Sequence, residues 1–71
     1  MYNKKEQELI TEGILFVRDT GLTNMFDTAA VIEIAELEGY DLTADFIRNH
    51  KREYGEIIFT GEFPDSLKGD G

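Results

Sequence analysis

Cysteine and tryptophan are absent from this sequence, and proline, serine and histidine occur once each, as Pro64, Ser66 and His50. Without cysteine there is no disulfide, thiolate metal site or thiol nucleophile. A lone serine near the chain end and a lone histidine give nucleophilic catalysis no base held within hydrogen-bond reach. His50 also lacks a second histidine for a zinc pair. Basic residues are scarce: 7 Lys and Arg face 15 Asp and Glu, for a net charge of -8 and a pI near 4.4. Phosphate backbones and anionic membranes need a basic face, so neither is expected as a direct partner. No long apolar run is present either. Ile14-Leu15-Phe16-Val17 is far too short to span a bilayer, and the start Met1–Glu6 lacks a signal peptide's apolar core. The expected location is the cytoplasm of the producing cell, with no metal and no cofactor.

What is present fits one small domain. A chain of 71 residues and 8.1 kDa buries only about 60% of its unfolded surface on folding, which makes a catalytic cleft within one subunit difficult. The 41% hydrophobic content suffices for a core. Glycines punctuate runs of helical periodicity at Gly21, Gly39 and Gly61, where left-handed caps would sit. The first run, Lys4–Asp19, starts at a capping box of Asn3 and Glu6 and turns Leu9, Ile10, Gly13, Ile14, Phe16 and Val17 to one arc. Leu15 falls opposite, beside Glu8 and Glu12, as a lone exposed leucine or part of a contact surface. The second run, Thr28–Glu38, is capped by Asp27, with Phe26 stapling onto Val31. Its wide apolar face of Ala30, Val31, Ile34, Ala35 and Leu37 predicts the most buried helix.

A third run covers Leu42 to about Asn49, capped by Asp41 or Thr43, and a fourth about Lys51–Thr60. One bent helix over Leu42–Thr60 is the alternative. The segment Gly55–Thr60 also reads as a strand, but a strand without a partner is not stable. Short connections make sequential helices neighbours. The expected architecture is all-α, a compact three- to four-helix bundle over residues 1–61, with a flexible, disordered acidic tail over 62–71.

Charge layout narrows the function classes. Seven acids (Asp19, Asp27, Glu33, Glu36, Glu38, Asp41, Asp45) and no Lys or Arg lie between Asp19 and Ile47. Glu33 and Glu36 form the outer face of the second helix, a solvated face or one that steers a basic partner. A nucleic-acid mimic would be dilute: four carboxylates over about 18 Å of helix stand against about ten charges on duplex DNA of that length. A helix-turn-helix reading places Asp41 and Asp45 where phosphate contacts belong. Asp41–Asp45 also lacks the glycine and twelfth-position glutamate of an EF-hand loop.

The segment Val17-Arg18-Asp19-Thr20-Gly21-Leu22-Thr23-Asn24-Met25-Phe26-Asp27 resembles the V-R-x-T-G-x-T-N-M-F-D signature of a family of very short phage and prophage proteins of Gram-positive bacteria, catalogued as a domain of unknown function. The resemblance extends over roughly residues 10–62, through Ile34-Ala35, Gly39-Tyr40, Phe46-Ile47 and Glu53-Tyr54 to Ile58–Glu62. It implies a phage or prophage origin and a compact helical fold, and no enzyme activity, cofactor or known ligand. The same residues have structural work available, as helix end, Asx or ST turn and helix cap. The expected function is a non-enzymatic protein-binding module whose contacts are Arg18, Thr20, Thr23 and Asn24 in the turn and Glu33 and Glu36 on the acidic face. An acidic inhibitor of a DNA-processing or defence enzyme, and a self-associating structural protein forming homo-oligomers, are the alternatives.

Overall fold

Local capping starts and stops the helices much as the sequence implies. The computed structural model of the chain describes residues 1–69. The order is α1 (Lys4–Thr20), α2 (Thr28–Leu37), α3 (Asp41–Asn49) and α4 (Lys51–Thr60), then a 3-10 turn at Asp65–Leu67. The all-α bundle is thus observed, with four helices. Asn3 Oδ1 accepts from the Glu6 amide at 2.8 Å, and Glu6 Oε1 accepts from the Asn3 amide at 2.9 Å. That reciprocal pair satisfies two amides a helix start leaves open. α1 ends at Gly21, whose φ of 65° turns the chain left-handed. The chain from Leu42 to Thr60 is two helices, because His50 breaks it with φ -137° and ψ 56°. The α3 cap differs from expectation: Tyr40 precedes the helix with no side-chain bond, and Asp41 is its first residue.

Thr43 is used elsewhere. It lies at the crossing of α1 and α3, 1% exposed, and its hydroxyl donates to the carbonyl oxygens of Leu9 at 3.2 Å and Ile10 at 3.3 Å. Opposite it sits Gly13, where an added Cβ would overlap the Thr43 hydroxyl. The missing side chain is what lets the two helices approach, and among the described residues no buried side-chain donor or acceptor is left unpaired.

Around that crossing α3 packs against α1, α2 and α4. Ile10, Ile14 and Val17 from α1 meet Ala44, Phe46 and Ile47 from α3, with Tyr54 and Ile57 from α4. The expectation that the second helix is the most buried is corrected. Only Val31 and Ala35 of α2 are buried, and Leu37 is 77% exposed. α2 packs on α3 and α1 from one side, so Leu37, outside that inward face, stays in solvent.

The expected start of the tail after Gly61 also moves. Phe63, Pro64 and Leu67 are buried, and the strap they form lies along the N-terminus. The Tyr2 amide donates to the Leu67 carbonyl at 3.0 Å, and the Gly69 amide donates to the Tyr2 carbonyl at 2.6 Å, a one-residue parallel bridge. Tyr2, Phe46 and Phe63 then stack edge and face within 5.9 Å of one another, centroid to centroid. Composition marked the segment as polar, and two apolar anchors outweigh that average once a surface is there to receive them. The remainder of the expected tail, residues 70 and 71, lies outside the described residues.

Gly13→Ala is expected to destabilise the fold by about 1–3 kcal/mol through overpacking against Thr43. Helix propensity alone would give a gain of about 1 kcal/mol, so the sign of the shift in a urea melt decides between them. Phe63→Ala is expected to cost about 3 kcal/mol, the range for a buried aromatic, whereas a disordered tail would show no change in the same melt.

Candidate functional site

The connection between α1 and α2 is built from its own polar side chains. Thr20 Oγ1 donates to the Val17 carbonyl at 2.6 Å and accepts from the Leu22 amide at 3.2 Å. Asn24 Oδ1 accepts from the Phe26 amide at 2.8 Å, an Asx turn. Asp27 Oδ1 accepts from the Ala30 amide at 3.3 Å and caps α2. Arg18 is exposed and meets Asp19 at 3.3 Å, and Thr23 is half-buried. Two of the four turn residues expected to contact a partner, Thr20 and Asn24, therefore shape the turn. What the turn displays is apolar: Leu22 is 74% and Phe26 57% exposed. The ring of Phe26, the residue expected to staple onto Val31, lies 5.6 Å from that of Phe59. Phe59, on the last turn of α4, is itself 81% exposed.

α4 reaches the turn by a second link. Tyr54 is buried, and its hydroxyl donates to the Met25 carbonyl. Burial pushes the Tyr54 phenol up to about 12, because the phenolate would lose its hydration. Tyr2 moves the same way, through burial first and then the Glu6 and Asp45 charges.

The acidic face is less negative than the sequence implies. Arg48 Nη2 reaches Glu36 Oε2 at 2.8 Å, while its Nη1 reaches Asp45 Oδ1 at 2.7 Å. One guanidinium thus bridges α3 to α2, engages two of the seven acids and offsets one unit of their charge. Glu33 stays exposed, without an ion pair among the described residues. Glu33 and Glu36 share α2 but differ in state: Glu36 is engaged and Glu33 is open to solvent.

A groove of about 770 Å³ runs along the outer stripe of α1. Lys4, Glu8, Glu12, Leu15 and Asp19 line it from α1 at helical spacing, with Phe16 beside them. Tyr40 closes one side. The end of α2 puts it there: the Tyr40 amide donates to the Ala35 carbonyl at 2.8 Å and the Gly39 amide to the Glu36 carbonyl at 3.1 Å. That double bond pattern needs Gly39 at its φ of 84°. The Tyr40 ring then lies 5.3 Å from the Phe16 ring. Glu62, Phe63 and Lys68 of the strap complete the lining. The stripe Glu8, Glu12, Leu15 is legible in the sequence. Its meeting with Tyr40 and Phe63 is tertiary and carries no local signal. Among the described residues, no group of three or more His, Asp or Glu is arranged to hold a metal ion, and no helix is long and apolar enough to cross a membrane.

A family model described as "Domain of unknown function (DUF5049)" matches residues 6–62, most of the chain, and the protein belongs to that family. No curated protein and no solved structure matches it. The match includes the turn, both of its links to α4, and most of the groove. It stops short of Tyr2 and of the strap from Phe63 onward.

The raised Tyr54 value sets an alkaline limit on stability. The folded-state value near 12 lies above the unfolded one, so the contribution is complete below about pH 10 and is lost as pH rises through 12, at about 1.4 kcal/mol per pH unit. Denaturant melts between pH 9 and pH 12 are expected to show that slope, and Tyr54→Phe is expected to flatten most of it, Tyr2 supplying the rest.

Proposed function

We propose that this member of the family is a non-enzymatic protein-binding module, an accessory protein of phage or prophage origin that acts on a host or phage protein in the bacterial cytoplasm. The phage assignment rests on the eleven-residue resemblance at Val17–Asp27. The observation that carries the binding assignment is the exposed Phe26–Phe59 pair. Aromatic rings are over-represented at the energetic centres of protein interfaces. Here two of them, with Leu22 on the same turn, stand in solvent on a backbone fixed by Thr20, Asn24 and Tyr54. A rigid turn loses little conformational freedom on binding, which favours affinity. Of the residues expected as contacts, Arg18 and Thr23 flank this patch in sequence, and Glu33 adds charge that steers a basic partner. The bridging by Arg48 leaves the nucleic-acid-mimic alternative with fewer free charges than its sequence suggests.

Affinity capture of the tagged protein from a bacterial lysate is expected to recover one defined partner that survives high salt. Phe26→Ser with Phe59→Ser should lower that capture by about ten-fold or more, the scale of losing one aromatic hot spot. Both side chains are exposed, so the melting temperature should hold. Capture that ignores the double change overturns the assignment. A partner lost at high salt and displaced by DNA would put the mimic in its place.

A further inference from the structure

We infer that the groove along α1 is a docking surface for a cationic amphipathic helix of a partner protein. This rests on the protein-binding assignment, though not on the Phe26–Phe59 pair.

The groove combines an apolar floor with an acidic rim. Leu15 is 40% and Phe16 37% exposed, and the Tyr40 ring leans on Phe16. Glu8 and Glu12 from α1, with Glu62 from the strap, stand around them, and none of the three makes an ion pair among the described residues. The two remaining charged pairs at the rim are already engaged or marginal: Asp19 meets Arg18 at 3.3 Å, and Lys68 meets Asp65 at 3.0 Å. Lys4 is then the one open cation of the lining. Glu8 and Glu12 sit one helical turn apart and repel each other, and a bound cation between them would relieve that repulsion.

Shape selects a helix. From Lys4 to Asp19 the groove follows α1 for about 22 Å, the length of about fifteen helical residues at 1.5 Å each. Strand addition would need a free sheet edge, and the only extended pairing among the described residues is the one-residue bridge at Tyr2 and Lys68. A helix can set leucine-type residues at i, i+3, i+4 and i+7 onto Leu15, Phe16 and Tyr40, with Lys or Arg beside them facing Glu8, Glu12 and Glu62.

The test titrates the whole protein with a synthetic helix of about fifteen residues, leucine at i, i+3 and i+4 and lysine elsewhere, and with the same peptide carrying glutamate for lysine. Fluorescence anisotropy gives affinity, and amide NMR shifts locate the contact. The lysine peptide is expected to bind, with shifts concentrated at residues 8–19 and around Tyr40, while the glutamate peptide does not. Glu8→Lys with Glu12→Lys, and separately Leu15→Ser, should each weaken binding by about ten-fold, as loss of charge pairing or of an apolar anchor does. Glu33→Lys with Glu38→Lys changes the net charge equally on α2 and its C-cap and should leave it within about two-fold, since distant charges are screened. Absence of binding, shifts away from α1, or equal loss in the α2 variant would each overturn the inference. None of those results bears on capture through Phe26 and Phe59, so the two assignments fail separately.

Discussion

The Thr43 hydroxyl at the empty side of Gly13 is the contact on which the rest of the bundle depends. α3 is the helix that touches all three others, and its approach to α1 sets where each of them lies. A hydroxyl there does two things at once. It fills the space that a glycine leaves, and it bonds carbonyls of α1 that already serve their own helix. With α1 and α3 close, Ile10, Ile14 and Val17 can close over Phe46 and Ile47. The stripe of α1 that faces away is then left without a cover, and the groove is its outcome.

Features decided within a few residues were legible in the sequence. The Asn3–Glu6 box, the Asp27 cap and the positive φ of Gly21, Gly39 and Gly61 all involve partners within one turn of chain. Features decided across the chain were not. Thr43 reads as a cap because its true partner, Leu9, is 34 positions away. The pairing of Phe26 with Phe59 has no local signal, because Phe59 belongs to another helix. Glu36 reads as open because Arg48 lies a helix further on. Periodicity counts apolar residues on a face but cannot tell which face a neighbour will cover, and so Leu37 reads as inward although it is exposed.

The same limit applies to the candidate contacts. In the turn, polarity suggested recognition, yet Thr20 and Asn24 spend their hydrogen bonds on the backbone. Their effect is indirect: they hold Leu22 and Phe26 out in solvent. A surface of this kind has its polar residues as scaffold and its apolar residues as the exposed part, the reverse of the usual division.

The pairing of Tyr2 with the strap has a kinetic consequence. Tyr2 pairs with Leu67 and Gly69 across nearly all the described residues, so joining them closes a long loop, at a high entropic cost. That cost is reduced only after α1, α3 and α4 have assembled and brought both segments to one place. Closure therefore comes last in folding and, by the same reasoning, reversal comes first. Local opening that releases Phe63 and Leu67 while the helices persist would be the lowest-energy excursion of the native state. Amides of Tyr2 and Gly69 would then exchange with solvent long before those of the Gly13–Thr43 crossing.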